Sequence, residues 1–387
     1  MRPAEPVYRG KKLSFWLEQK ATGSGDWTEI ANAFHQIGPK AVPYLAARIR
    51  RDHSWIARGY RQVWMRLPGF LSKRLSPPRD PFKEVWAVNV FENIGPLAIP
   101  SLMVLLKDDN AVVRSSAIWA LESFRRSGYG DEATISALAS ALSDPDANVR
   151  RQAASALGEF GPKAGVVVPA LAARLKDDEK GAEKGSVVFV RAAAARALGR
   201  IGPGASAAAS SLSALQTNPE PYLRMEATVA LWRINRQPGL VLPVLIDALP
   251  KTADPSKWEI FQALGEMAAD AKDAVTAITE ELKSQNSEVR QRAAEALWRI
   301  DPKQAPAIVD ALVEPLDNPK ATSANLFSVV EGVRLLGEIG PEARRAVPAL
   351  IKLQTHKYPP ASNAVAKALL QIDRDGAAKR GIDPSAP

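Results

Sequence analysis

Residues 148–178 read NVRRQAASALGEFGPKAGVVVPALAARLKDD. Apolar residues at i, i+4, i+7, i+8 and i+11 form one helical stripe: Val149, Ala153, Ala156, Leu157 and Phe160. The Gly-Pro that follows ends this helix, because glycine accepts the left-handed conformation past a helix end and proline suits the first turn of the next helix. The stretch therefore predicts a helix, a sharp turn and then another helix.

Similar units occur along most of the chain, and each closes on an apolar residue. These residues are Ile37, Ile94, Phe124, Phe160, Ile201, Ile234, Met267, Ile300, Ile339 and Ile372. Several successive ones lie 33 residues apart, which is the length of a two-helix hairpin. The sequence therefore predicts an array of helical hairpins rather than separate globular domains.

The order Ile-Gly-Pro, Val-Pro-x-Leu, Asp-Asp and Val-Arg-x-x-Ala-x-x-Ala-Leu-Gly resembles the HEAT-repeat family, specifically the short bacterial type named after phycobilisome lyases. The likeness covers roughly residues 30–372. It implies an all-α fold, an α-solenoid (right-handed α-α superhelix) of about nine or ten hairpins. The opening VYRGKKLSFWLEQ also resembles the starts of secreted or membrane-tethered bacterial HEAT proteins.

Charge is distributed unevenly. Residues 1–90 hold 16 Lys/Arg against 7 Asp/Glu, whereas the remaining residues hold 35 of each. We therefore expect a basic, tryptophan-rich N-terminal cap at 1–94 with an inserted helix and a proline-rich loop, a regular array at 95–372, and a disordered tail at 373–387. The neutral array argues against a long nucleic-acid groove.

The basic excess is concentrated in an insertion at residues 48–81, which carries nine Lys/Arg, two Asp and interleaved aromatic residues. Tyr60, Val63 and Trp64 share a helical face with Ile56 and Leu67. Three interpretations remain open: an extra docked helix with a solvated basic face, a site for an anionic partner, or a helix lying on anionic lipid. The candidate partner-binding residues are Arg48, Arg50, Arg51, Trp55, Arg58, Arg61, Trp64, Arg66, Lys73 and Arg74.

Two smaller insertions, near residues 177–186 and 317–325, fall at the same point of their repeats as the basic one. All three are expected to project from one edge of the solenoid. Such clustering is typical of a binding side, and loop drift explains it equally well.

Each predicted repeat has a first helix and a second helix that carries the Ala–Leu stripe. Arginine recurs at the start of the second helix, at Arg114, Arg150, Arg191, Arg224 and Arg290, with Lys257 in the equivalent place. We expect these cations to pair with turn acids such as Asp109 and Asp146 in a ladder between repeats, as in the resembled family, rather than to bind phosphate. Trp119, Trp232 and Trp298 are expected to pack within the helical stripes. A base-stacking role, as in the HEAT-like DNA glycosylases, requires a tryptophan on the concave face beside an acid.

No residue set that carries enzyme chemistry is visible. The chain lacks cysteine, and His35, His53 and His356 are scattered without a following glutamate, unlike the iron-dependent HEAT-repeat hydroxylases. Nucleotide-binding fingerprints and a G-x-S-x-G elbow are missing. The sequence predicts neither a catalytic nor a metal site, and no cofactor.

We therefore predict a non-enzymatic scaffold that binds a protein or peptide, with an acidic surface as one option, on its concave surface or insertion edge. The alternative is a nucleic-acid-binding protein of the DNA glycosylase-like kind; peripheral contact with anionic membrane is a further option. The compartment stays open between the cytoplasm and, if a leader or anchor precedes Met1, a periplasmic or membrane-tethered location.

Overall fold

The computed structural model describes residues 3–52, 60, 62–64, 66, 90–91, 93–126, 131–177, 186–317, 326–354 and 359–382. The chain divides into two compact units, Met1–Leu212 and Ser213–Pro387. The two smaller predicted insertions and most of the basic insertion lie outside the described residues.

The first unit begins with a small antiparallel hairpin and continues as helices. The hairpin pairs β1 (Val7–Tyr8) with β2 (Lys11–Lys12). The helices are α1 (Leu13–Thr22), α2 (Trp27–Ile37), α3 (Ala41–Asp52), α4 (Ile99–Leu105), α5 (Ala111–Arg126), α6 (Asp131–Ala141), α7 (Ala147–Glu159), α8 (Val168–Arg174), α9 (Ser186–Ile201) and α10 (Ala209–Ser213), the last of which reaches the unit boundary. Short 3-10 turns occupy Gly38–Lys40, Pro96–Ala98, Gly161–Val167 and Gly202–Ala208.

The second unit repeats the same alternation of helices and 3-10 turns. Its helices are α11 (Pro221–Asn235), α12 (Pro238–Ala248), α13 (Asp254–Met267), α14 (Val275–Glu281), α15 (Ser287–Ile300), α16 (Ala305–Val313), α17 (Leu326–Ile339), α18 (Val347–Gln354), α19 (Pro359–Ile372) and α20 (Arg374–Lys379). Its 3-10 turns are Ala214–Thr217, Leu249–Lys251, Ala268–Ala274, Pro302–Gln304, Glu314–Asp317 and Gly340–Ala346.

Glycine and proline separate the helices as predicted. Gly161 and Gly340 adopt φ of +54° and +72°, a left-handed conformation that favours glycine, and each is followed by a proline in a 3-10 turn. At the same place in another repeat Ala268 has φ of +49°, which costs an L-residue more than it costs glycine. The turn geometry is therefore retained even where the glycine is not.

Each repeat thus has a first helix, entered from the turn, and a longer second helix. The second helices are α5, α7 and α9 in the first unit and α11, α13, α15, α17 and α19 in the second. The alanine and leucine stripes of these helices are buried between neighbouring helices; Leu157 and Leu198 are completely buried. Burying a leucine side chain contributes about 1.5–3 kcal/mol, so these stripes hold the stack together. The all-α solenoid class predicted from the sequence is confirmed.

One slot in the second helix sets how closely neighbouring second helices approach. In α7 it holds Gly158, where a Cβ atom would lie 2.9 Å from the Cα of Ala197 on α9. In α17 it holds Gly337, whose Cβ would lie 3.1 Å from the Cα of Ala368 on α19. In α11 the same slot holds Trp232, and α11 and α13 pack less closely than the glycine-containing pairs. Glycine therefore permits backbone contact that tryptophan prevents.

The helical array does not end at residue 372, because the last described residues form one more short helix. Asp373 accepts a hydrogen bond from the Gly376 backbone N–H and so caps α20, where Ala377 is buried. Residues 383–387 of the predicted tail lie outside the described residues. Among the described helices, none combines the length and apolar character that a bilayer crossing requires.

Candidate functional site

Half of the predicted basic site can be located. Arg48, Arg50 and Arg51 lie together in the last part of α3, and Trp64 and Arg66 are described farther along the chain. The remaining candidates lie outside the described residues: Trp55, Arg58, Arg61, Lys73 and Arg74. The structure therefore brings three of the ten residues onto one helix and neither joins nor separates the rest.

Arg50 is engaged within the scaffold. Its Nε donates a hydrogen bond of 3.1 Å to Oδ1 of Asp108, and a second guanidinium nitrogen pairs with Oδ2. Burial alone would raise the pKa of the Asp108 carboxyl, but the hydrogen bonds from Arg50 and from the Asn110 backbone outweigh it and lower the pKa. Part of the predicted basic patch thus stabilises contact between α3 and the turn after α4.

The predicted apolar face of the inserted segment is exposed where it can be seen. Tyr60 and residues 62–64 are helical, and the Tyr60 and Val63 side chains are 39% and 59% exposed. Trp64 is only partly covered. The sequence placed these residues on one face of a docked helix; in the described part of the segment that face meets solvent.

The recurrent arginines form the expected ladder, but with different acids. Arg150 donates from Nε and Nη2 to Oδ2 of Asp177, at 3.0 and 2.9 Å, and from Nη1 to the carbonyls of Asp144 and Pro145. Arg114 binds Asp144 in the same way, with Nε 2.6 Å from Oδ2. The predicted ladder between neighbouring repeats is therefore present, but Asp109 and Asp146 are not the acids that Arg114 and Arg150 bind.

The reason lies in the turn itself. Asp146 uses its carboxylate to cap α7 by accepting from the backbone N–H groups of Asn148 and Val149, so it is not available to the arginine. The guanidinium instead reaches the turn carboxylate of the next repeat. Arg191, Arg224 and Arg290 each donate to a carbonyl at the preceding helix end, and Lys257 binds Glu281. These cations face the scaffold, which argues against a phosphate site.

Trp119 differs from the other tryptophans of the second helices. It lies on the solvent side of α5 and is 46% exposed, so the prediction that it packs within the stripe was wrong. Trp232 is 4% exposed, as expected for packing. Both belong to apolar runs of similar composition, but Trp119 lies five residues after its repeat's arginine and Trp232 lies eight residues after its own. A full repeat alignment with the helical period would have separated them.

Trp119 is part of a surface that we call the first-unit face, formed by the solvent side of α5, α7 and α9. Its members are polar except for two exposed aromatic residues, and they are Ser115, Ser116, Trp119, Glu122, Arg125, Arg151, Gln152, Ser155, Glu159, Phe189, Arg196 and Arg200. Trp119, Ser155 and Arg196 occupy the same position in successive repeats. Because α5 packs beside α7 and α7 beside α9, these three residues form a row across the helices.

The charges of the first-unit face are incompletely balanced. Glu159 lies between Arg125, 3.6 Å away, and Arg200, so one carboxylate serves two guanidinium groups. Arg151 pairs with no carboxylate among the described residues. The face holds four arginines against two glutamates and is therefore positively charged.

The corresponding surface of the second unit is closed by its own ion pairs. Arg233 is 8% exposed and binds Glu259 at 3.2 Å and Glu266 at 3.6 Å. Glu295 accepts from Arg299 at 2.7 Å and lies 3.5 Å from Arg292. A groove of about 360 Å³ between α13 and α15 is lined by Trp258, Glu259, Arg292, Glu295 and Arg299. Glu295 is thus shared by two guanidinium groups, as Glu159 is, but Arg233, Arg292 and Arg299 each have a glutamate partner.

The described residues offer no group of three or more His, Asp or Glu side chains able to hold a metal ion. The pKa shifts of the described residues arise from ion pairs and hydrogen bonds within the scaffold, such as the pair of Asp108 with Arg50. These shifts therefore report contacts that hold the scaffold together.

Comparisons with known proteins agree with the helical repeat. Residues 99–188 match the family model described as HEAT repeats. No curated protein matches the chain. Among solved structures, the complex of CpcE and CpcF of phycocyanin lyase from Nostoc sp. is 26% identical, with a TM-score of 0.42, covering 64% of this chain and 92% of the other.

Two other solved structures are more distant in sequence. YibA of E. coli is 19% identical with a TM-score of 0.45, covering 76% of this chain and 99% of the other. Kap121p bound to Nup53p is 15% identical with a TM-score of 0.47, covering 92% of this chain and 43% of the other.

Proposed function

We propose that this chain, a HEAT-repeat protein, is a non-enzymatic scaffold that binds a protein or peptide partner on its first-unit face. HEAT-repeat folds commonly act as protein-interaction scaffolds, and stacked repeats offer long surfaces rather than a single active centre. The partner is held by surface complementarity and undergoes no covalent change.

The observation that carries this proposal is the exposure of Trp119. An indole that leaves 46% of its surface in water on a packed helix forgoes the burial that Trp232 achieves. Tryptophan and arginine are the residue types enriched among the few that dominate binding energy in protein interfaces. Here Trp119 shares a surface with Arg151 and Arg196.

The predicted basic segment at residues 48–81 stays a second candidate location. Tyr60 and Val63 support it, because they are exposed apolar side chains next to Trp64. Arg50 contributes less than the sequence suggested, since its charge is paired with Asp108.

A nucleic-acid-binding function also has one observation in its favour. Trp119 meets part of the condition set by the DNA glycosylase-like alternative, because it is exposed on a second helix with the acidic residue Glu122 one turn away. Against it, the recurrent arginines are paired within the scaffold. Binding to duplex DNA at two salt concentrations separates the functions: tight, salt-sensitive binding identifies a nucleic-acid protein.

The direct test is affinity capture from the native cell with the wild-type chain and Trp119→Ala. We expect the captured partner to be reduced about tenfold or more, since truncating a central aromatic residue typically costs at least about 2 kcal/mol of binding. Trp27→Ala is the matched control, because Trp27 is 57% exposed and lies on α2, outside the first-unit face.

The triple variant Arg58→Glu, Arg61→Glu, Arg66→Glu tests the basic segment in the same experiment. If the triple variant loses the partner and Trp119→Ala keeps it, the scaffold function holds and the binding surface is the basic segment. If all variants retain every partner, neither surface is the site.

A further inference from the structure

We infer that the occupant of the first-unit face is an extended acidic peptide segment with one apolar anchor, and this inference rests on the proposed function. The apolar anchor contacts Trp119. Carboxylates three and six residues from the anchor meet the arginines of α7 and α9.

The first step is charge. Arg151 has no carboxylate partner among the described residues, and Glu159 is shared by Arg125 and Arg200. A fixed positive field on a partly desolvated surface favours an anionic partner and speeds its encounter. On the second-unit surface Arg233, Arg292 and Arg299 each have a glutamate partner, so none of these three corresponds to Arg151.

The second step is access to the indole. Ser155 occupies in the adjacent repeat the same position as Trp119 in its own repeat. Ser115 and Ser116 lie one turn before Trp119 on α5. The Ser116 hydroxyl donates to the Val112 carbonyl at 2.8 Å, so it is turned back toward its own helix. Small side chains around Trp119 leave the ring face open to an apolar side chain.

The third step is spacing. Neighbouring packed helices lie about 8–10 Å apart, and an extended peptide advances about 3.3 Å per residue. A strand that crosses the second helices therefore moves from one helix to the next in about three residues. Starting at Trp119 on α5, it crosses α7 at Ser155, one turn from Arg151, and then reaches Arg196 on α9.

A nucleic-acid backbone fits this surface less well. Phosphate charges are continuous, whereas Glu122 and Glu159 lie among the arginines and would repel part of such a backbone. A peptide can place neutral residues over the glutamates and carboxylates over the arginines. The mixed charge of the face therefore favours a peptide.

The test uses fluorescent serine peptides with one leucine and two glutamates, placed three and six residues from it in either direction. Titrated with the full chain, at least one of the two peptides is expected to bind, and its glutamine-for-glutamate counterpart is expected to bind about tenfold more weakly. Trp119→Ala should weaken binding about tenfold or more. Arg151→Glu should weaken it about three- to tenfold and reduce its salt dependence, because a rim charge is reversed.

Arg299→Glu is the matched control, because Arg299 is an exposed second-unit arginine paired with Glu295, and it should leave peptide binding unchanged. Equal binding of the glutamate and glutamine peptides would overturn the inference, as would displacement of the peptide by duplex or single-stranded DNA at lower concentration than by unlabelled peptide.

The two proposals fail separately. If no peptide binds but capture of the native partner still depends on Trp119, the scaffold function stands and the acidic spacing is wrong. If neither the peptides nor the native partner respond to Trp119→Ala, both are wrong.

Discussion

The second helices of the two units expose surfaces of different character to the solvent. In the first unit Trp119 is 46% exposed and Arg151 has no acidic partner among the described residues, whereas in the second unit Trp232 is 4% exposed and Arg233 binds two glutamates. Both surfaces are built on the same repeat and from the same residue types. The difference teaches that the position of a tryptophan or arginine within the repeat decides between packing and recognition.

The contrast extends to the slot between second helices. Gly158 lets α7 and α9 touch through their backbones, and Trp232 fills the same place between α11 and α13. A large side chain in this slot becomes core and keeps the helices apart. An equally large side chain three residues earlier, at the position of Trp119, is left 46% exposed.

The largest expected effect is the difference in stability between a variant that truncates Trp232 and one that truncates Trp119. Trp232→Ala should lower the free energy of unfolding by about 3–5 kcal/mol, because it leaves a cavity in a buried slot. Trp119→Ala should change it by less than about 0.5 kcal/mol, since the side chain is half exposed. Urea unfolding followed by circular dichroism measures both. Equal destabilisation by the two substitutions would contradict the comparison.

A smaller effect is expected from adding one methyl group in the slot. Gly158→Ala should destabilise by about 1–3 kcal/mol, because the new Cβ would lie 2.9 Å from the backbone of Ala197. Gly265→Ala is its matched control: the nearest atom is the Arg299 Cδ at 3.5 Å, which is ordinary contact.

Alanine also favours the helix over glycine by up to about 1 kcal/mol, so Gly265→Ala should be neutral or stabilising. Denaturation midpoints of the two variants compare the slots directly. A Gly158→Ala variant as stable as the wild type would show that α7 and α9 do not meet there.

The smallest expected effect is the pH dependence of the Asp108–Arg50 pair. The pKa of Asp108 is lowered in the folded chain, so its stabilisation is fully present above the unfolded value of about 3.9 and is lost as pH falls through the lower folded pKa. Asp108→Asn should cost about 1 kcal/mol or less at neutral pH and remove this contribution to acid sensitivity.

Unfolding midpoints measured at neutral pH and below pH 4 test the pair. Glu280→Gln serves as the control, because Glu280 is a 66% exposed carboxylate whose partner Lys283 lies three residues later, just past the end of α14. If the Asp108→Asn variant were as sensitive to acid as the wild type, the Asp108–Arg50 pair would make no contribution to the pH dependence of stability.

Much of the architecture could be predicted because helical repeats depend on local pattern. The stripe of Ala153, Ala156 and Leu157 and the Gly-Pro turns were sufficient to predict hairpins that stack, and the structure confirms them. The ladder was predicted with the wrong acids, because a turn aspartate such as Asp146 can either cap its own helix or meet an arginine. Sequence distance favours the nearer carboxylate; the tertiary structure supplies Asp177 instead.

By itself the amino-acid sequence determined that this chain forms helix pairs with buried Ala–Leu stripes, since periodicity and turn residues act over a few residues. Only the tertiary structure decided that Trp119 faces solvent while Trp232 is covered, and that Arg151 is left without a described carboxylate while Arg233 has two. The physical reason is that exposure and pairing depend on which side chain the neighbouring repeat places opposite.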